Sequence, residues 1–154
     1  MLNDSIGYVD NGLHCDSVSV QEIVAQVGTP VYVYSMRRVL ANYRRIVAAF
    51  ADLETHIHYS AKANGNLSLL RGLIDEGAGI DAVSGGEIYR ALAAGASPEK
   101  IVFAGVGKSP EELWYAVESG IGWFNVENVT ELGYLNQITA KMGRRTSTRV
   151  ALRL

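Results

Sequence analysis

The chain has 154 residues, of which 48% are hydrophobic and 19% are charged, and its formal net charge is -2. This length suits one domain with a sizeable core. The charge gives no electrostatic basis for binding nucleic acid or an acidic membrane surface. No run is long and apolar enough to span a bilayer, and residues 1–12 lack the features of a secretory signal. The single cysteine, Cys15, excludes an internal disulfide. We therefore expect a cytoplasmic protein without a membrane or nucleic-acid partner.

Residues 1–34 differ from the rest of the chain. They contain a predicted turn at Asn11-Gly12, one short helix and a predicted strand, "PVYVY", at 30–34. We predict that this segment lies outside the domain formed by residues 35–154 and belongs to a separate β domain.

From residue 35 onward, short apolar strands alternate with helical patterns. Residues 35–51 carry apolar side chains at i, i+3, i+4 and i+7, with Ser35 as the predicted N-cap. Another helix begins at Ser109, and Gly95 and Gly120 lie where helices should end. The centres of the predicted strands are about 21 to 27 residues apart, the repeat of a strand, a helix and two loops. These strands are 56–61, 79–84, 101–105, 122–127 and 148–154.

A repeated β-α unit predicts a parallel sheet, either open and doubly wound or closed into a barrel. The turn "KANGN" at 62–66 lacks the glycine-rich dinucleotide fingerprint. Polar residues also recur at the carboxyl ends of the predicted strands, where the catalytic groups of a (β/α)8 barrel collect. They are Lys62, Asn64, Ser84, Lys108 and Glu127. We therefore predict an α/β fold that comprises about the first five strands of a (β/α)8 TIM barrel over 35–154. A whole barrel typically takes about 250 residues, so we expect a truncated, N-terminal part.

Six segments resemble the diaminopimelate decarboxylases, which are pyridoxal-phosphate enzymes built on the alanine-racemase-type barrel. They are "GTPVYVYS", "HYSAKAN", "GAGIDAVSGGEIYRALAAG", "IVFAGVGKSPEEL", "FNVENVTEL" and "VALRL". The resemblance runs from Gly28 to Leu154 and covers only the N-terminal part of these longer proteins. It implies that pyridoxal 5'-phosphate is the cofactor, that meso-diaminopimelate is converted to L-lysine, and that the full-length enzyme is a homodimer.

The resemblance also implies that Lys62 forms the Schiff base with the cofactor. A flexible primary amine at a strand's carboxyl end can reach into a barrel mouth, and partial burial would favour its nucleophilic form. The alternative is a surface lysine whose stem packs on the rim. Asp81 and Glu87 match residues close to the cofactor in related decarboxylases, and we predict that Ser84 also lies near it. Ser84 and Glu87 also form the pattern of a helix cap.

Arg153, within "LRL", matches an arginine close to the cofactor in related enzymes. A guanidinium in an apolar strand needs an acceptor, and the alternative is an exposed chain end. For Lys108 we consider a role at the rim or facing the substrate, although Val106 stands where the family more often has asparagine. His56 and His58 share one face of a strand, but no other ligands complete a metal site, so we predict no metal.

The chain lacks parts that the family places later in its sequence. These parts are the glycine-rich phosphate loop, the acid at the pyridine nitrogen, the histidine stacked on the ring and a cysteine from the second subunit. We therefore expect the 154-residue chain alone to be inactive. Two alternatives stay open: an ornithine, arginine or carboxynorspermidine decarboxylase, and a non-catalytic truncated fragment that binds its missing half.

Overall fold

The computed structural model describes residues 5–145 and 147–153. They fall into two compact units, one up to Glu54 and one from Thr55 onward. Within the described ranges, no helix combines the length and the apolar character needed to cross a membrane. The division of the chain at residues 34 and 35 stays a prediction.

The first unit contains a small antiparallel sheet and two helices. Its strands, in spatial order, are β1 (Ile6–Val9), β2 (Gly12–Cys15) and β3 (Val18–Ser19), and its helices are α1 (Val20–Val27) and α2 (Met36–Ala49). Asp10 and Asn11 link β1 to β2 with φ values of 48° and 65°. Positive φ at both central residues is what a two-residue type I′ hairpin turn requires. The turn therefore lies one residue earlier than predicted.

The predicted strand at 30–34 is wrong, whereas the predicted helix after it is confirmed. Residues 31–35 are irregular, and Tyr32 is 90% exposed. An apolar, β-branched run becomes a strand only where a neighbouring strand supplies hydrogen-bond partners, and no described strand pairs with it. Ser35 caps α2, because its Oγ accepts a hydrogen bond from the Arg38 amide at 3.0 Å.

The second unit is a five-stranded parallel sheet whose spatial order follows the chain. The strands are β4 (His58–Ser60), β5 (Gly79–Ala82), β6 (Ile101–Phe103), β7 (Trp123–Val126) and β8 (Arg149–Leu152). The helices between them are α3 (Leu67–Asp75), α4 (Gly85–Ala93), α5 (Pro110–Glu118) and α6 (Val129–Lys141). All five predicted strands are present, each a few residues shorter than predicted; Leu154, at the end of the last one, lies outside the described residues.

The strand order distinguishes a barrel wall from an open doubly wound sheet. An open sheet of that kind reverses its strand order at a switch point and carries helices on both faces. Here the order never reverses, and the apolar side chains are buried on one face only. Ile80 and Ala82 are fully buried beneath the helices, whereas Asp81 between them points to the opposite face. Phe103 and Phe124 pack edge to face in this core, with ring centroids 6.3 Å apart.

Two glycines end helices as predicted, and a third accommodates a histidine. Gly95 and Gly120 follow α4 and α5 with φ of 99° and 77°, a left-handed conformation that glycine adopts at little cost. Gly79 pairs with His58 across β4 and β5. A Cβ at Gly79 would overlap the His58 ring and lie 2.7 Å from the Lys100 carbonyl oxygen. His58 is therefore packed at the amino-terminal end of the sheet.

Candidate active site

Polar residues follow the carboxyl end of every strand in the parallel sheet. Because the strands are parallel, these residues lie along one edge, where a (β/α)8 barrel carries its catalytic groups. The edge is formed by Lys62 after β4, Ser84 and Glu87 after β5, Lys108 after β6, Glu127 after β7 and Arg153 after β8. Asp81 lies within β5, two residues before the start of the following turn.

Lys62 lies in a 3-10 turn, Ala61–Ala63, that follows β4 directly. Ala61 is 2% exposed and anchors this turn in the core, whereas the Lys62 side chain is exposed. The partial burial that we expected for Lys62 is therefore wrong, because β4 is an edge strand and no described strand covers its outer side. Among the described residues, nothing accepts a hydrogen bond or ion pair from the Lys62 amine. The amine is therefore available for covalent chemistry.

The loop after Lys62 is held by a series of hydrogen bonds. The Tyr59 hydroxyl donates to the Asn64 carbonyl oxygen at 3.4 Å, and Asn64 Oδ1 accepts from the Asn66 amide at 2.9 Å. Asn66 then caps α3, since its Oδ1 accepts from the Ser68 amide at 2.9 Å.

Arg90 of α4 donates through Nη1 to the Gly65 carbonyl oxygen at 2.9 Å. No pattern in the sequence marks Arg90 for this contact.

Asp81 is hydrogen-bonded to the residue opposite it in the sheet. Ser60, the last residue of β4, pairs in register with Asp81, and its Oγ donates to Asp81 Oδ2 at 3.1 Å. Ser60 was missed by the sequence analysis. No local pattern marks Ser60, because its partner Asp81 is 21 residues away in sequence and meets it only through the register of β4 and β5.

Ser84 and Glu87 cap α4, as their spacing predicts. Ser84 Oγ accepts from the Glu87 amide at 3.2 Å, and Glu87 Oε2 accepts from the Val83 amide at 2.8 Å. Both side chains thus satisfy backbone groups that a helix start leaves without partners. A position beside the cofactor stays a prediction for both residues and for Asp81.

Glu112 links the starts of two helices. It completes the predicted capping box with Ser109, and its Oε1 accepts from the Gly85 amide at 2.8 Å, the first residue of α4. A Cβ at Gly85 would lie 3.2 Å from Glu112 Cγ, so glycine lets the carboxylate approach. A repeated pattern marks such residues, because α4, α5 and α6 each begin with Ser or Asn followed three residues later by Glu.

Lys108 is an interior residue, and its hypothetical role at the rim or facing the substrate is wrong. Its side chain is 0% exposed and pairs with Glu131 at 2.7 Å. The amine also donates to the carbonyl oxygens of Gly105 and Asn125, both at 2.7 Å. Three acceptors use all three N–H groups of an ammonium, so none remains for a ligand. Lys108 instead joins the loop after β6, the end of β7 and the start of α6.

Arg153 has the acceptor that the sequence analysis expected. Its Nη1 donates to Glu127 Oε1 at 3.2 Å, and the Glu127 amide donates to Glu131 Oε2 at 3.4 Å. The Arg153 side chain is 65% exposed because the residue lies one position beyond β8 rather than inside it. Its contact with a cofactor stays a prediction.

The cavities described between the helices are not at the carboxyl edge. A cavity of about 390 Å³ lies elsewhere, between α5 and α6, and its lining includes Trp114, Tyr134 and Ile138 but none of the predicted site residues. In the described part of the chain, no group of three or more His, Cys, Asp or Glu side chains could hold a metal ion.

Comparison with known proteins identifies the family. The family model described as "Pyridoxal-dependent decarboxylase, pyridoxal binding domain" matches residues 36–154. The chain belongs to this family of pyridoxal-dependent decarboxylases. The diaminopimelate decarboxylase of Aquifex aeolicus is 44% identical over 152 residues, which is 99% of this chain and 35% of that protein. The chain thus spans about a third of the length of the relatives that it matches.

Solved structures confirm the fold. A crystal structure from Aquifex aeolicus superimposes with a TM-score of 0.91 at 44% identity and covers 98% of this chain and 36% of that one. The diaminopimelate decarboxylase of M. jannaschii in complex with L-lysine gives 0.90 at 36% identity, with the same coverage. The second unit is therefore part of a TIM barrel in this pyridoxal-dependent family, as the sequence predicts.

The residues present fit pyridoxal phosphate, the cofactor of the family. The cofactor carries an aldehyde, which needs a primary amine with free N–H groups. Two lysines lie on the carboxyl edge, and their hydrogen bonds distinguish them. All three N–H groups of Lys108 are used within the fold, whereas the exposed Lys62 amine makes no hydrogen bond to a described residue. Of these two lysines, only Lys62 has an amine without a described hydrogen-bond partner, and its attachment to the cofactor stays a prediction.

Proposed function

We propose that this chain is the cofactor-attaching part of a decarboxylase that converts meso-diaminopimelate to L-lysine and CO2. The observation that carries the proposal is the free amine of Lys62 at the carboxyl end of β4, on the edge where a barrel enzyme does its chemistry. Identities of 39% and 44% to diaminopimelate decarboxylases support the substrate. The M. jannaschii relative binds L-lysine, which is the product expected here.

The residues of the carboxyl edge would have different roles in binding the cofactor. Lys62 would hold pyridoxal phosphate through its amine, with Asp81, Ser84, Glu87 and Arg153 beside it. Pyridoxal phosphate, when bound, takes up the electron pair that departing CO2 leaves behind. Asp81 keeps its position through the Ser60 hydroxyl, and Arg153 keeps its own through Glu127. The exposed Arg153 guanidinium retains N–H groups that suit an anionic group.

The wider setting of the protein is part of the same proposal. We infer that the full-length enzyme is a cytoplasmic homodimer that takes a small amino acid as substrate. The L-lysine complex of the M. jannaschii relative supports a small amino acid as the ligand. Ornithine, arginine and carboxynorspermidine decarboxylases are the alternative substrate classes. An arginine decarboxylase from a Chlorella virus shares the fold at 23% identity, which carries no argument about substrate.

Two assays of CO2 release test this function. With excess pyridoxal phosphate and meso-diaminopimelate, the 154-residue chain alone should release no more CO2 than the free cofactor does. A fusion of this chain to the remaining two thirds of the Aquifex aeolicus relative should release CO2 and form L-lysine. The fusion supplies the groups that the chain lacks, so its activity reports whether this chain's edge is competent.

The matched control for the fusion is Lys62→Ala. We expect this variant to lose CO2 release, and we expect the intact fusion to prefer meso-diaminopimelate over ornithine and arginine. Activity that survives Lys62→Ala, or turnover by the 154-residue chain alone, would contradict the proposal. Preferred turnover of ornithine or arginine would contradict the substrate class.

A further inference from the structure

The 3-10 turn that carries Lys62 has no side-chain cap. Ser60 precedes it as N-cap, yet its side chain makes no capping bond to the turn and instead donates to Asp81. The turn is only three residues long and leads directly into an extended Asn64. Its geometry therefore depends on its two flanks. Ala61 is fixed in the core on one flank, and the loop 64–66 lies on the other.

Arg90 contacts that loop from α4. Its Nη1 donates to the Gly65 carbonyl oxygen at 2.9 Å across 25 residues of sequence. The arginine stem also packs on the same residue, since a Cβ at Gly65 would lie 3.4 Å from Arg90 Cδ. This is an ordinary van der Waals distance, so the arginine stem packs against residue 65, and one charge-assisted hydrogen bond joins the guanidinium to the backbone there.

The same helix carries two further predicted site residues at its start. Ser84 is the N-cap of α4, and Glu87 lies in its first turn. Arg90 follows one turn later, so a single rigid helix contacts both the loop after Lys62 and the backbone at the end of β5. Arg90 therefore connects the loop after Lys62 to the helix that begins just after β5.

We propose that Arg90 is a positioning residue for Lys62. It acts through the Gly65 carbonyl and does not itself touch the cofactor or the substrate. It holds the turn so that the Lys62 amine faces the same space as the start of α4. The proposal deepens the proposed function and rests on it for the role of Lys62.

Hydrogen exchange and aldehyde labelling of the 154-residue chain test the proposal. The variants are Arg90→Met, the conservative Arg90→Lys and the control Arg71→Met. Arg71 is an exposed arginine on α3 that makes no hydrogen bond or ion pair with any described residue. The amides of Asn66, Ser68 and Leu69 report on the loop, because their acceptors are the side chains of Asn64 and Asn66.

We expect Arg90→Met to speed the exchange of these three amides about two- to tenfold, which is the factor that one hydrogen bond contributes. The amides of α4 should keep their exchange rates. Reductive labelling with pyridoxal phosphate should show a fall in the ratio of modified Lys62 to modified Lys100. Arg90→Lys should restore part of both effects, since an ammonium can still donate to the carbonyl. Arg71→Met should match the unmodified chain.

The two readouts separate this inference from the proposed function. Unchanged exchange at these three amides in Arg90→Met, or an unchanged labelling ratio in a chain that prefers Lys62, would overturn the role of Arg90. If the unmodified chain shows no preference for Lys62, the proposed function fails. In that case, faster exchange in Arg90→Met would still support the contact between Arg90 and the loop. The proposal that Arg90 positions Lys62 for cofactor attachment would be overturned.

Discussion

Lys108→Met is expected to lower the free energy of unfolding by about 3–5 kcal/mol, the usual cost of removing one partner of a buried ion pair. The Lys108 side chain is 0% exposed and that of Glu131 is 5% exposed, so the variant leaves a carboxylate without its cation and nearly without water. Two carbonyl oxygens, those of Gly105 and Asn125, also lose their donor. Urea unfolding followed by tryptophan fluorescence would measure the change.

Two companion variants make the Lys108 prediction specific. Lys100→Met removes an exposed lysine that makes no side-chain hydrogen bond with a described residue, and it should change stability by no more than about 0.5 kcal/mol. The double variant Lys108→Met with Glu131→Met removes both charges and should recover much of the loss, because no uncompensated charge stays buried. Equal stabilities for Lys108→Met and Lys100→Met would show that the pair does not hold the carboxyl edge together.

Lys62→Ala is expected to abolish the visible absorbance that pyridoxal phosphate acquires when it is attached to a lysine. The reason is that Lys108, the other described lysine on the edge, has all three N–H groups engaged and cannot substitute for Lys62. The spectrum of the dialysed 154-residue chain, with and without the substitution, measures the effect. Lys100→Ala, at the amino-terminal end of β6, is the control and should retain the band. A band that persists in Lys62→Ala after dialysis would refute the assignment.

The order and type of the elements in the second unit could be predicted from the sequence because local signals determine them. Strands alternate with helices at a regular spacing, and capping residues such as Ser84 and Ser109 mark the starts of helices. The predicted strand at 30–34 is wrong because local signals alone do not determine a strand. Its β propensity is real, but a strand also needs a partner, and pairing is a long-range property that local composition does not contain.

The position of the carboxyl edge was predictable, whereas the burial and the hydrogen-bond partners of its side chains were not. Parallel strands bring Lys62, Ser84 and Arg153 to one edge whatever the detailed packing. Whether a lysine at that edge is exposed or buried depends on residues far away in sequence, such as Glu131 for Lys108. Arg90 escaped prediction for the same reason, since its acceptor is a backbone carbonyl and no side-chain pattern marks it.

The central claim is that Lys62 attaches the cofactor, and site-specific trapping tests it most directly. The 154-residue chain would be incubated with pyridoxal phosphate, reduced with borohydride, digested and analysed by mass spectrometry for modification at Lys62, Lys100, Lys108 and Lys141. We predict modification mainly at Lys62, little at the exposed Lys100 and Lys141, and none at the buried Lys108. Equal modification of Lys62, Lys100 and Lys141, or modification mainly at another lysine, would contradict the claim.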